Sequence, residues 1–131
     1  MPESPKLESP LPGPFDPSTL KYNADGLIPA IAQDHETGAV LMLAWMNAEA
    51  VRRTLDSGRV TYWSRSRQEF WIKGATSGHV QALIEMRVDC DRDCLLVVVD
   101  QTGPACHTGR ASCFYTAIDG DAEVAFMDPL T

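Results

Sequence analysis

No apolar run in this 131-residue chain approaches the roughly 20 residues that a bilayer-spanning helix needs. The chain also does not open on a basic stretch followed by an apolar one, so no export signal is visible and the cytoplasm is the expected compartment. Basic residues are scarce: 11 Lys and Arg stand against 18 Asp and Glu, for a net charge of −7. Nucleic-acid binding needs a basic surface and is not expected. A small anionic substrate stays open, provided that the few basic groups cluster. There are only four cysteines and no C-x-x-C pair. Without an export signal, they point to metal binding or free thiols rather than to disulfides.

What remains is ordinary globular material, 44% hydrophobic and 22% charged. It suffices for one domain with a small core, which dimerisation would help to cover. Pro2, Pro5, Pro10, Pro12, Pro14 and Pro17 predict a flexible tail over residues 1–20. Residues 119–131 read as an acidic C-terminal tail, with Phe126 and Met127 available to dock. The body between, residues 21–118, reads as mainly β with one or two short helices. Strands are expected at 27–32, where Pro29 suggests a sheet edge, and at 40–46 after a turn. Asn47 should cap a short helix that buries Ala48, Val51 and Leu55 and ends at Gly58. A hairpin is expected from 59–64 and 69–73, a long alternating strand over 80–90, and further strands at 95–100 and 114–118. Trp45 and Met46 read as core, and His35 and His79 as surface residues.

Three constellations carry chemistry. In the alternating strand, Val80, Ala82, Ile84, Met86, Val88 and Cys90 fall on one face, and Gln81 to Asp91 by alternate positions on the other. If the extended backbone continues, Asp89, Asp91 and Asp93 converge, and a cation such as magnesium would relieve their repulsion. A solvated acidic loop is the plainer alternative. Cys106 and Cys113 are separated by six residues that include Gly109, so they can meet at one metal, with Cys90 as a third ligand. Three protein ligands and an open position suit a catalytic zinc, and His107 is the adjacent base. Buried packing cysteines are the alternative, and Cys94 reads as packing. Finally, Trp63, Ser64, Arg65, Arg67, Lys73, Thr76 and Ser77 bring aromatic, basic and hydroxyl groups together in a pattern that suits a nucleotide. An exposed hairpin would show the same composition. Residues 73–78 are not a P-loop, since the G-x-x-x-x-G-K order is absent.

Five stretches, residues 42–47, 62–67, 71–78, 89–93 and 105–115, together resemble the phosphoribosyl-AMP cyclohydrolases of histidine biosynthesis. The resemblance implies a compact pseudo-barrel capped by a helix and paired into an intertwined homodimer. It also implies zinc on Cys90, Cys106 and Cys113, shared across the dimer, and magnesium on Asp89, Asp91 and Asp93. Zinc-bound hydroxide would open the adenine ring of phosphoribosyl-AMP between N1 and C6, with His107 as general base. Two positions depart from the family's usual residues: Ala75 where Glu is common, and Trp45 where Tyr is common. Some relatives carry a fused pyrophosphohydrolase domain, for which this chain is too short, so the single activity is expected. Two further readings compete. A non-catalytic, zinc-stapled nucleotide-binding dimer would close its site with a fourth ligand such as His107. A zinc nucleobase deaminase would need H-x-E and P-C-x-x-C signatures, which are absent.

Overall fold

The computed structural model of the protein describes residues 14–130, so most of the proline-rich tail lies outside the described residues. Burial alternates along β1 (Ile28–Asp34), with Ile28, Ala30 and Ala32 in the core. The Asp34 carboxylate then accepts the N–H groups of Glu36 and Thr37, at 3.2 and 2.8 Å, and turns the chain into β2 (Val40–Met46). The other two strands of this sheet are β5 (Gln81–Val88) and β6 (Leu95–Gln101). The order is β2-β1-β6-β5, parallel between β1 and β6 and antiparallel elsewhere. Strand β6 lies inside the sheet and buries Leu95, Val97, Val98 and Val99, a near-continuous apolar run of the kind a doubly paired strand shows.

Between these strands the chain adds a helix and a hairpin. Helix α1 (Ala48–Ser57) starts where the Asn47 side chain accepts the Ala50 N–H at 2.8 Å, and ends at Gly58 with φ 74°. The hairpin is β3 (Thr61–Ser64) with β4 (Glu69–Ile72). A second hairpin, β7 (Thr116–Asp119) with β8 (Ala122–Ala125), follows near the end. Over the described residues the fold is thus mainly β with one helix and a short 3-10 turn, and its three sheets do not close on themselves.

Four expectations need correction. Strand β1 is not at an edge; Pro29 is tolerated because it precedes Ala30, where pairing with β6 begins. The helix buries Ala50, Val51 and Thr54 rather than Ala48 and Leu55, and Leu55 is 39% exposed. The cause is the Thr54 hydroxyl, which accepts the Thr61 N–H at 3.0 Å and donates to the Thr61 carbonyl at 3.2 Å, turning that face onto β3. Strand β5 has a register shift between Leu83 and Glu85, so Leu83, Met86 and Val88 pack on the core while Ile84 is exposed. At the two ends, Pro17–Thr19 form a 3-10 turn with Leu20 buried behind it, and β8 pairs residues expected to be loose.

One polar chain crosses the interior. The Tyr62 hydroxyl donates to Gln81 Oε1 at 2.7 Å, and Gln81 Nε2 donates to Gln101 Oε1 at 2.9 Å. Tyr62 and Gln81 are fully buried. Tyr62→Phe leaves the Gln81 acceptor unsatisfied in the core, so it should lower unfolding stability by about 1–3 kcal/mol in urea titrations.

Candidate functional site

Two loops build the site. The first leaves β4 at Lys73 and turns at Gly74, where φ is 81°. A Cβ on Gly74 would lie 2.4 Å from the His79 carbonyl carbon and from the Val80 nitrogen, so no other residue fits this turn. Lys73 is held by its own N–H on the Val60 carbonyl at 3.0 Å and is only 8% exposed. The second loop folds back at Cys106, where the Gly109 N–H reaches the Cys106 carbonyl at 3.0 Å. It is fastened to β2 twice: the Ser112 hydroxyl donates to the Val40 carbonyl at 2.8 Å, and the Cys113 N–H to the Leu41 carbonyl at 2.7 Å.

These anchors bring the Cys106 and Cys113 side chains into hydrogen-bonding contact as free thiols. Burial pushes the Cys113 thiol up to about 11, and its hydrogen bond and charge contact with Cys106 add to this. For Cys106, burial opposes ionisation, but hydrogen bonds from Thr108 and Cys113 and the Arg110 charge outweigh it and lower the thiol pKa. The Thr108 hydroxyl lies 3.1 Å from the Cys106 sulfur. Burial lowers the Lys73 pKa, while the two thiols beside it act the other way.

A cavity of about 970 Å³ opens between the two loops. Its walls include Ser64, Arg67, Lys73, Thr76 and Ser77 from the expected nucleotide-binding set, and Cys106 and His107 from the expected metal loop. Trp63 and Arg65 line a separate groove of about 610 Å³, which Ser64 also borders. There the Arg65 guanidinium stands 4.8 Å from the ring centroid of Trp45. Trp45, read as core from sequence, is only half-buried, whereas Met46 is fully buried. Sequence reading missed His79, which also lines the large cavity; the close glycines at 74 and 103 were its signal.

The aspartates meet by a different route from the one expected. The strand stops at Val88, and the Asp89 carboxylate accepts the N–H groups of Asp93 and Cys94 at 2.9 and 3.1 Å. Arg92 adopts φ 63° to close this turn. A tight turn, not an extended strand, thus places ligand atoms of Asp89, Asp91 and Asp93 within 4.8 Å of one another, all three exposed. Desolvation opposes ionisation of Asp89, but the hydrogen bonds from Asp93, Cys94 and Arg92 together outweigh it and hold its carboxyl below the ordinary range, and the hydrogen bond with Asp89 raises that of Asp93. Cys90 is exposed on the same turn. Among the described residues, the aspartates are the only group that gathers three potential metal ligands, so Cys90 does not join Cys106 and Cys113 within one chain.

The sequence profile of the phosphoribosyl-AMP cyclohydrolases matches residues 42–115, which contain both loops, the thiols and the aspartate turn. The chain belongs to the phosphoribosyl-AMP cyclohydrolase family. It is 76% identical over 115 residues to the phosphoribosyl-AMP cyclohydrolase of Paracoccus denitrificans, covering 88% of this chain and 95% of that one. Over 117 residues it is 75% identical to the phosphoribosyl-AMP cyclohydrolase of Ruegeria pomeroyi, covering 89% and 98%. As a member of this family the chain is an enzyme, a hydrolase of histidine biosynthesis. The donor set suits the metals that the family resemblance implies. Two thiols in contact, one with its pKa lowered, suit a soft cation, and three exposed carboxylates suit a hard one. Thr108→Val should raise the pH at which the Cys106 thiolate appears in metal-free protein, as followed by its ultraviolet absorbance; an unchanged titration would show that Thr108 does not stabilise the thiolate.

Proposed function

We propose that this chain opens the adenine ring of phosphoribosyl-AMP at the N1–C6 bond, giving the formimino-aminoimidazole carboxamide ribotide. The observation that carries the reading is the shared cavity: Cys106, His107 and a basic, hydroxyl-rich wall face one space in a chain of this family. The second ribose on N1 leaves the adenine ring cationic and its C6 electrophilic. His107 takes the proton from the water that adds at C6. It then returns a proton to nitrogen as the N1–C6 bond breaks, and C6 becomes the carboxamide carbonyl. Arg67 and Lys73 hold phosphate, and Ser64, Thr76 and Ser77 donate further hydrogen bonds. Trp63 and Arg65, on the neighbouring groove, contact the far end of the nucleotide.

Cys106 and Cys113 would hold zinc together with Cys90 of a second copy, and Asp89, Asp91 and Asp93 would hold magnesium. Zinc bound there supplies a Lewis acid that lowers the pKa of water. The shared site makes the enzyme a homodimer. Two facts support this: Cys90 lies apart from the thiol pair in one chain, and the C-terminal hairpin exposes Ile118 by 81% and Phe126 by 60%. The free thiols suit a reducing compartment, the cytoplasm. No helix among the described residues is long and apolar enough to cross a membrane.

Purified protein supplied with zinc and magnesium should turn over phosphoribosyl-AMP, and chelator should abolish the absorbance change. Failure of folded, zinc-loaded protein to turn over would instead favour a nucleotide-binding zinc module. Cys106→Ala should lose zinc and activity together. Cys90→Ala should be inactive alone, yet co-assembly of Cys90→Ala with Cys106→Ala chains should restore about a quarter of wild-type turnover, since half of the dimers regain one of two sites. Zinc-loaded, active monomers would refute the shared site.

A further inference from the structure

His79 lines the cavity, yet the chemistry proposed above gives it no role. Its backbone is clamped on several sides. Ser77 Oγ accepts the His79 N–H at 3.2 Å, and Gln101 Nε2 donates to the His79 carbonyl at 3.2 Å. The Gly74 turn presses against the same carbonyl so closely that only glycine fits. Gln101 is itself tied to the buried Gln81 and Tyr62, so the position of His79 is set from the core. The ring rests against Gly103, where a Cβ would lie 2.7 Å from Cδ2 and 3.2 Å from Nε2. Two glycines with positive φ thus make room for this histidine, Gly74 for its backbone and Gly103 for its ring. Among the described residues, no hydrogen bond or ion pair engages its ring nitrogens. A half-buried ring, fixed this firmly and left with its polar atoms unspent, is preorganised for a ligand.

We propose that His79 is a phosphate-binding residue of this cavity, its imidazole hydrogen-bonding a phosphate oxygen of the nucleotide. The inference rests on the proposed function for the identity of that nucleotide. The class of ligand follows from the neighbours. Thr76 and Ser77 offer hydroxyls from the same turn, and Arg67 and Lys73 bring positive charge to the same walls. A phosphate monoester accepts from all of these at once, whereas an adenine edge cannot. His107 stands on the other loop, in the turn that starts at Cys106, so the two histidines divide binding from proton transfer.

The test is steady-state kinetics of His79→Ala and His79→Asn on phosphoribosyl-AMP with the metal-loaded enzyme. His79→Ala should raise KM about tenfold, the size of one lost hydrogen bond to an anion, with kcat within about twofold. His79→Asn keeps a side-chain donor and should raise KM less. The phosphate involved is identified by competition with AMP and with ribose 5-phosphate: inhibition should weaken in His79→Ala for the one that reaches the ring. An unchanged KM in both variants overturns the proposal, and so does a fall in kcat with KM unchanged, which would put His79 in the chemistry. If the variants fail to fold, inorganic phosphate titrated into the wild-type protein decides. A saturating shift of the His79 imidazole resonance in NMR supports the proposal, and a static resonance overturns it. That titration needs no turnover, so failure of the wild-type reaction would count against the proposed function alone.

Discussion

The site depends on charge balance around one buried cation. Lys73 is 8% exposed, and the ionisable groups that favour its ammonium form are Cys113 and Cys106. An ammonium taken out of water costs several kcal/mol unless a partner offsets it. The two thiols differ: Cys106 ionises below its ordinary range, whereas burial, and after it the hydrogen bond and charge of Cys106, push the Cys113 thiol up to about 11. A thiolate in this pair and the Lys73 ammonium would each favour the other. A divalent cation on the sulfurs would stabilise both thiolates, and the Lys73 ammonium would then be free to face an anionic substrate. The two functions proposed for this cavity, metal binding and phosphate binding, are therefore coupled through the same three side chains.

Rigid anchoring makes that balance possible. The thiol loop hangs from β2 through Ser112 and Cys113, and the Lys73 loop hangs from Val60 and from the Gly74 turn. Beneath them the Tyr62–Gln81–Gln101 chain fixes the segment that carries His79. Such a buried polar chain adds modest net stability but penalises every arrangement that leaves one member unpaired. The cavity is walled by strand β4 as well as by the two loops, and each loop is tied by backbone hydrogen bonds to the body of the fold, which gives the site a precision that loops alone lack.

Much of this was legible from residue pattern. The Asn47 cap, the Gly58 stop, the 61–72 hairpin and the apolar β6 follow from local chemistry that the sequence states directly. What failed had a non-local cause. The buried face of α1 is set by Thr54 reaching Thr61, a contact that a helical hydrophobicity pattern cannot show. The β5 bulge moves Ile84 outward, and nothing in an alternating run announces one extra residue. The thiol pair was legible because six residues with a glycine can reverse direction. Its separation from Cys90 was not, since that depends on where two sheet edges end. The resemblance supplied the family and the ligand set, and spacing alone would have left both open.

The position of Cys90 would link the two proposed metal sites. It lies between Asp89 and Asp91, and neighbouring Cα atoms in a chain are only about 3.8 Å apart. If Cys90 of one copy completes the sulfur site of another, the aspartate turn must come with it to the rim of the partner's cavity. The aspartate cluster, exposed and apart from the thiols in a single chain, would then stand at the rim of the cavity that Lys73 and Thr76 line. Magnesium, were Asp89, Asp91 and Asp93 to hold it, would supply a hard positive charge suited to phosphate oxygens. The exposure of the aspartates, which in isolation suggests only a solvated loop, is on this account required: a turn buried in its own chain could not be presented to another.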